Sequence, residues 1–289
     1  MKPFSFEYFK PNNIDEAISL LNGYGEDAVI LAGGQSLIPL MNLRLARPKY
    51  IIDINKIAEL SYIKDTNGGL SIGALTRHRE IEKSDIIKSK YPILSKTVSL
   101  IGNPQIRNWG TIGGSISHAD PAGELPTLLL ALNGKVKVVG NQGEREIDGD
   151  DLFLGYLTTS MEKTEILREV YIPEISPKMG WEFVELTKRS HDFAIVSVAI
   201  LMSIDNAGKC NDVRISLGGV GSMPVRAKGA EEFLMDKAIN DDSIKEAANI
   251  ASEEAEPESD IHASAKYRKE MVKVFVNRGL ISALDRVRG

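Results

Sequence analysis

The order of apolar and polar positions gives the first part of the chain a strand–helix alternation. The apolar run AVILAGG at residues 28–34 predicts a buried strand that ends in two glycines, and SLIPLMNLRLA at 36–46 predicts a helix directly after it. Further strands are predicted at 4–11 and 49–57. A helix with apolar residues at helical spacing is predicted at 13–25, where a glycine ends it.

The same alternation continues to about residue 175. A Gly-Gly turn predicts a hairpin at 60–76, and a second hairpin is predicted at 135–147. A strand is predicted at 165–175. Helices are predicted at 76–89, 91–102 and 122–134.

The pattern changes after the segment IPEISPKMGW, whose two prolines and glycine mark a boundary. Beyond it, three strands are predicted to form an antiparallel meander, and three helices follow, at 225–235, 241–255 and 264–284. This order predicts an α+β module. We therefore expect one domain over 1–176, with subdomains at about 1–57 and 58–176, and a second over 177–289.

Composition excludes several classes of protein. The chain has 289 residues, a net charge of -5 and a single cysteine, Cys210. One cysteine excludes an internal disulfide, a Cys-ligated zinc finger and an iron–sulfur cluster held by this chain alone. No basic face indicates nucleic acid. No apolar run reaches the roughly 18 residues of a membrane span, and no signal peptide is evident, so we expect a cytoplasmic protein.

Two glycine pairs, at 33–34 and 113–114, are the main candidates for ligand binding. Consecutive glycines allow positive φ and let a ligand contact the backbone. A glycine turn that leads into a helix also directs N–H groups at an anion, with the hydroxyls of Ser36 and Thr111 as further donors. Neither pair matches a known phosphate-binding fingerprint. From these residues alone, a phosphate-bearing cofactor and a tight turn without a ligand both stay open.

The segment HADPAGELP offers His118, Asp120 and Glu124, which could suggest a metal site or a His–Asp pair. Its prolines instead predict an irregular loop that enters a helix, where an acidic residue caps or begins the first turn. We expect no metal site. Trp109 is interpreted as a packing residue, and structural or exposed positions are expected for the other histidines, His78, His191 and His262.

Four segments together resemble one protein family. They are AGGQS at 32–36, NLRLARP at 42–48, IGNPQIRNWGTIGGSISHADPAGELP at 101–126 and FVELTKRSHDFAIVSVA at 183–199. They resemble the FAD-binding medium subunits of molybdenum hydroxylases of the carbon monoxide dehydrogenase, glyceraldehyde oxidoreductase and xanthine dehydrogenase type. The resemblance covers essentially the whole chain. It implies the FAD-binding fold of vanillyl-alcohol oxidase, with two α+β subdomains, followed by an α+β domain with a three-stranded antiparallel sheet.

The resemblance also implies a set of cofactor-binding residues. Two loops, 31–38 and 111–115, would hold the FAD pyrophosphate, Asp120 and Glu124 would hydrogen-bond the cofactor, and an aromatic residue would lie beside the flavin ring. The implied residues are Leu31, Ala32, Gly33, Gly34, Gln35, Ser36, Leu37, Ile38, Ile101, Thr111, Ile112, Gly113, Gly114, Ser115, Asp120, Glu124, Leu167 and Phe193.

Some positions depart from relatives. Gln35 stands where some members have His, and Ser115 where many have Asn; both keep a polar group. Val184 and Glu185 stand where some relatives carry a Lys. No lysine at that place can then stabilise negative charge on a reduced flavin.

The implied function is electron transfer. The chain would carry non-covalent FAD, since the first loop has Gln35 rather than a histidine. Partner subunits would carry molybdopterin and two [2Fe–2S] clusters, in a dimer of heterotrimers. The substrate, whether carbon monoxide, an aldehyde or an N-heterocycle, would bind to another chain. Two alternatives stay open: a self-sufficient flavin oxidase, and a non-catalytic assembly protein of the same fold.

Overall fold

The N-terminal part of the chain forms a three-stranded parallel sheet. In this computed structural model, which describes residues 2–289, its strands are β1 (Glu7–Phe9), β2 (Ala28–Leu31) and β3 (Tyr50–Asp53). The middle strand, β3, runs parallel to both neighbours. The carboxyl ends of all three strands therefore meet at one edge of the sheet, which is where open parallel sheets commonly bind ligands. The glycine pair at 33–34 follows β2 at this edge.

Two helices accompany this sheet, α1 (Ile14–Tyr24) and α2 (Leu37–Asn42). The side chain of Asn13 caps α1 by accepting a hydrogen bond from the amide of Glu16 at 2.8 Å. The prediction for α2 was too long. The helix ends at Asn42 because Arg44 adopts a φ of 62°, which an α-helix cannot contain.

The middle part of the chain builds a five-stranded antiparallel sheet. Its strands, in spatial order, are β4 (Ile63–Thr66), β5 (Gly69–Gly73), β10 (Ile166–Pro173), β6 (Lys135–Gly140) and β7 (Gly143–Asp148). Both predicted hairpins are present in it. A small separate hairpin consists of β8 (Phe153–Gly155) and β9 (Thr158–Thr159). The helices of this part are α3 (His78–Lys83), α4 (Asp85–Lys90), α5 (Pro92–Leu100), α6 (Pro104–Trp109), α7 (Ile112–His118), α8 (Glu124–Ala131) and α9 (Gly149–Leu152).

Two predictions for this part were wrong. The single helix predicted over 76–89 is two helices, because Ser84 has an extended conformation and caps the second one. The second glycine pair does not lie in a loop. It occupies the first turn of α7, where the side chain of Thr111 accepts a hydrogen bond from the amide of Gly114 at 3.1 Å. A good N-cap thus favours the helix despite two glycines.

The C-terminal part has a four-stranded antiparallel sheet of β11 (Gly180–Thr187), β12 (Ala194–Ile204), β13 (Cys210–Gly218) and β14 (Val225–Arg226), followed by α10 (Lys228–Leu234), α11 (Asp241–Glu254) and α12 (Ala265–Arg288). The prediction of three strands missed β14, whose two residues were assigned to a helix. They pair with Ser216 and Leu217 instead. Glu231 holds the Arg226 guanidinium through two hydrogen bonds, which fixes this short strand.

The C-terminal sheet is covered on both faces. On one face, Phe183, Ala199 and Leu201 join the core that also contains the five-stranded sheet, α5 and α8. On the other, alternate residues of β12 pack with α11 and α12. The loop 174–179 connects β10 to β11. None of the helices within 2–289 is apolar over a length that could cross a bilayer.

Candidate functional site

A cavity of about 500 Å³ lies at the carboxyl edge of the N-terminal parallel sheet. It extends from the segment after β2, past the start of α7, to the start of α8 and the loop between β11 and β12. Of the residues that the resemblance implies, most line it: Ala32, Gly33, Gly34, Gln35, Ser36, Leu37, Ile101, Thr111, Gly113, Gly114, Ser115, Asp120, Glu124, Leu167 and Phe193.

Three of the implied residues do not line the cavity. Ile112 is buried in the largest core, where it anchors the first turn of α7. Leu31 is the last residue of β2, and Ile38 is a partly exposed residue of α2. The cavity therefore collects side chains and backbone that are more than 150 positions apart in the chain, but it does not include these three.

The first glycine segment presents a row of free backbone N–H groups. Within residues 2–289, none of the amides of 33–37 donates a hydrogen bond to the protein. Consecutive unpaired amides of this kind form a concave site for an anion, and the start of a helix adds to the positive potential. The side chain of Gln35 donates to the carbonyl of Gly33 at 2.9 Å and holds the turn.

The second glycine segment has no such free amides. The amide of Ile112 donates to Thr76, that of Gly113 to Ala74, and those of Gly114 and Ser115 to Thr111. The expectation that both loops direct free N–H groups at one anion was therefore wrong for α7. The first turn of α7 lines the cavity without free amides. The hydrogen-bond donors that α7 offers to a ligand are therefore side-chain hydroxyls.

Packing between the two segments explains the first glycine of each pair. A Cβ on Gly33 would lie 2.4 Å from the carbonyl oxygen of Trp109, and one on Gly113 would lie 2.5 Å from the Cβ of Ala74. Gly34 has a φ of +71°, which L side chains rarely adopt. Only at Gly114 does a Cβ meet mainly open space, with Thr111 Oγ1 at 2.8 Å as its one close neighbour.

The other end of the cavity is acidic. Glu124 is the first residue of α8, and its carboxylate makes no hydrogen bond to any other described residue. Burial, together with the charges of Glu185 and Asp120, raises the pKa of Glu124 to about 8. Asp120 shapes the approach to α8 by accepting a hydrogen bond from the amide of Ala122 at 2.9 Å.

Sequence reasoning missed His78, which lines the cavity from the start of α3. Its Nε2 lies 3.3 Å from the hydroxyl of Ser115, and its Nδ1 has no partner among the described residues. Burial, together with the charges of Arg107 and Arg77, lowers the pKa of His78 to about 4, so the imidazole is neutral. His78 and Ser115 are 37 positions apart and meet only in the folded chain, so their spacing in the sequence did not indicate the contact.

Two aromatic residues are more exposed than a packing role allows. Phe193 lies at the cavity mouth with 63% of its surface accessible, so it is not a core residue. Trp109 is 60% exposed, which contradicts its interpretation as a packing residue; the guanidinium of Arg77 lies 5.7 Å from its ring centre. Among residues 2–289, no group of three His, Cys, Asp or Glu side chains could hold a metal ion.

Comparison with known proteins shows which family this chain resembles. Residues 4–175 match the FAD binding domain in molybdopterin dehydrogenase, and residues 181–283 match the CO dehydrogenase flavoprotein C-terminal domain. The chain is 41% identical to the 6-hydroxypseudooxynicotine dehydrogenase complex subunit alpha of Paenarthrobacter nicotinovorans, over 100% of this chain and 97% of that protein. It is 39% identical to the glyceraldehyde dehydrogenase medium chain of Sulfolobus acidocaldarius, over 95% and 97%.

A solved structure agrees over the whole fold. The chain superposes on a chain of carbon monoxide dehydrogenase from Hydrogenophaga pseudoflava with a TM-score of 0.97, 36% identity and 99% coverage of both chains. The likeness includes both the cavity-bearing part and the C-terminal sheet. The chain therefore belongs to the family of FAD-binding medium subunits of the molybdenum hydroxylases, as its sequence motifs predict.

Proposed function

We propose that the cavity binds one non-covalent FAD, and that the chain passes electrons from a [2Fe–2S] partner subunit to an external acceptor. The observation that carries this proposal is the row of five unpaired amides at 33–37, which opens into a largely apolar cavity. A cavity of about 500 Å³ lies within the usual range of about 300–1,000 Å³ for ligand sites. An anion at the amides and an apolar ring further in match the pyrophosphate and the isoalloxazine ring of FAD.

The residues divide by chemistry into two groups. The amides of 33–37 and the hydroxyls of Ser36, Thr111 and Ser115 suit the pyrophosphate. With its proton on Nε2, the neutral imidazole of His78 would donate to Ser115 Oγ, 3.3 Å away, and leave the Ser115 hydroxyl proton free for the pyrophosphate. The flavin end is served by the apolar and acidic residues Ile101, Leu167, Asp120, Glu124 and Phe193. Leu31, Ile38 and Ile112 do not line the cavity and would support the first glycine segment and the start of α7 rather than contact the cofactor.

When bound, FAD supplies the electron-accepting ring, and the protein supplies position and electrostatics. Ile101 and Leu167 are both buried and exclude water from the inner part of the cavity. Glu124 holds a proton at neutral pH because burial raises its pKa to about 8. Phe193, at the open mouth, lies where an acceptor would approach.

The partners follow from the relatives. Proteins named medium chain, or subunit of a dehydrogenase complex, match this chain along nearly all of their length. We infer a large subunit with molybdopterin, a small subunit with the clusters, and a dimer of heterotrimers in the cytoplasm. The exposed side of the N-terminal sheet, where β1 is an edge strand, would face the cluster subunit.

Binding can be tested on the single chain. Titration of the FAD-free protein with FAD should give one site per chain and quench flavin fluorescence. Acid precipitation of the loaded protein should leave all of the flavin in the supernatant, because Gln35 offers no nucleophile and Cys210 is buried outside the cavity. Yellow colour in the denatured pellet would contradict a non-covalent site. Failure to bind FAD would contradict the proposal as a whole.

A further inference from the structure

Two carboxyl groups from different domains meet where the C-terminal sheet packs on α8. In β11, Glu185 is on the same face as Phe183, which joins the core around α5 and α8. Its partner across the ladder is Ser197, whose hydroxyl lies 3.5 Å from that of Thr127 in α8. Thr127 is one turn from Glu124. The fold therefore brings Glu185 next to Glu124, at the acidic end of the cavity.

Neither carboxyl group is neutralised by a hydrogen-bonded partner. One oxygen of Glu185 is fully buried and has no partner among the described residues. The carboxylate of Glu124 has none outside its own residue and lines the cavity. The cation that acts on Glu185 is Lys96 of α5, and Asp120 adds negative charge to Glu124.

The remaining titratable groups nearby lie at the cavity wall. They are His78, His118, Glu165, His191 and Asp192. Ionising both of two neighbouring, poorly solvated carboxyl groups costs more free energy than ionising one of them. Their titrations are therefore coupled. Burial raises the pKa of Glu185 to about 7 and that of Glu124 to about 8. Around neutral pH the pair therefore exchanges protons with small changes in local charge.

We propose that the Glu124–Glu185 pair takes up one proton from solvent each time the bound flavin is reduced. The inference rests on the proposed function, since it needs FAD in the cavity. Added negative charge at the flavin makes a neighbouring carboxylate a better base. Glu124 lines the cavity and Glu185 lies behind it, so a proton taken up by the pair would compensate that charge.

The step transfers two electrons and takes up two protons. Two electrons arrive singly from the [2Fe–2S] clusters of the partner subunit. One solvent proton binds to the flavin, which leaves the reduced ring with one negative charge. A second solvent proton forms an O–H bond on the ionised member of the pair. When the acceptor removes the two electrons, both protons leave to the acceptor or to solvent.

The pH dependence of the flavin midpoint potential tests this directly. In the FAD-loaded chain, anaerobic spectroelectrochemistry between pH 7 and 8, where Glu185 is the ionised member and Glu124 keeps its proton, should give about 59 mV per pH unit, which is two protons for two electrons. Glu185→Gln keeps the shape of the side chain but cannot take a proton, so its slope should fall to about 30 mV per pH unit, one proton for two electrons. Glu185→Lys, with a fixed positive charge, should show the same low slope and a higher potential.

A matched control lies on the same strand. Glu182 of β11 faces the opposite side and pairs with Arg286, so Glu182→Gln should keep the steep slope. A second readout is the reduced-minus-oxidised infrared spectrum of chain labelled with ¹³C-glutamate. A protonated carboxyl band should appear on reduction and be lost in Glu185→Gln.

The outcomes separate the two proposals. Absence of FAD binding contradicts the proposed function. FAD binding with equal slopes in wild type and Glu185→Gln, and no carboxyl band, overturns the inference about the pair and leaves FAD binding intact. A steep slope only in wild type and Glu182→Gln supports the pair.

Discussion

The glycines of the two pairs are required for different reasons. Gly33 and Gly113 permit close backbone packing, with 2.4 Å and 2.5 Å from their missing Cβ atoms to the nearest neighbours. Gly34 permits a left-handed φ of +71°. A valine at Gly33 would thus disrupt the fold before it displaced any ligand. Gly114 lines the cavity, and an added Cβ there has Thr111 Oγ1 as its one close neighbour, so a side chain at this position should disturb the packing least.

The two glycines of α7 therefore form a matched pair of variants. Gly113→Ala should destabilise the protein by about 1–3 kcal/mol, the usual cost of overpacking a core. Gly114→Ala should keep most of the stability, with a loss of about 1 kcal/mol if the Thr111 cap shifts, but bind FAD at least about tenfold more weakly. Urea denaturation without FAD and titration with FAD measure the two effects. Equal FAD affinity in Gly114→Ala and wild type would contradict a cofactor beside this turn.

The raised pKa of Glu124 predicts how stability depends on pH without FAD. The folded state holds a proton that the unfolded state, with an ordinary pKa of 4.5, releases. The free energy of unfolding should therefore fall as pH rises from 4.5 to about 8, by at most about 5 kcal/mol. Glu124→Gln should flatten this decline in urea denaturation at pH 5, 7 and 9. A decline of the same size in the variant would assign it to other groups.

Phe193 should affect the flavin and leave the fold unchanged. Because 63% of its surface is accessible, Phe193→Ala removes little buried area and should change the melting temperature of the FAD-free chain by less than about 2 °C. In the loaded chain, flavin fluorescence should change and reoxidation should slow, since an aromatic face beside the ring stacks on it and limits solvent. Unchanged flavin spectra would place Phe193 away from the ring.

Among the elements, α7 lines the cavity between the first glycine segment and the start of α8. Thr111→Ala removes its N-cap and should cost about 1 kcal/mol of stability. Ser264→Ala removes the equivalent cap of α12, far along the chain, and should cost a similar amount. Only Thr111→Ala should weaken FAD binding, because Thr111 also lines the cavity. Equal FAD affinity in the two variants would reduce Thr111 to a structural role.

Hydrophobic periodicity predicted most elements because it reports which face of each is buried. It placed β2, both hairpins and the long C-terminal helices correctly. It failed where short polar contacts decide the structure: Ser84 divides a helix, Thr111 makes a helix from a glycine run, and Arg226 stabilises a two-residue strand. Such contacts leave no periodic signal.

At the scale of the whole molecule, the site depends on packing between the domains. The sequence motifs indicated most of the cofactor-site residues that line the cavity, but not that α8 packs against the C-terminal sheet. Glu124 is buried at the start of α8, and Ser197 of β12 approaches Thr127 one turn further along that helix. His78 reaches Ser115 in the same way, through the tertiary fold. Contacts of this kind could not be predicted, because a single sequence does not show which faces of its helices and sheets pack together.

The central claim is that this chain carries the flavin of a larger enzyme and is reduced through a partner. The most direct measurement is anaerobic: follow the flavin absorbance of the FAD-loaded single chain after adding carbon monoxide, an aldehyde or an N-heterocycle, then repeat with the co-expressed large and small subunits. We predict that the single chain keeps its oxidised spectrum with every substrate, and that one substrate bleaches the flavin in the complex. Reduction of the single chain at a catalytically useful rate would contradict the account and favour a self-sufficient oxidase.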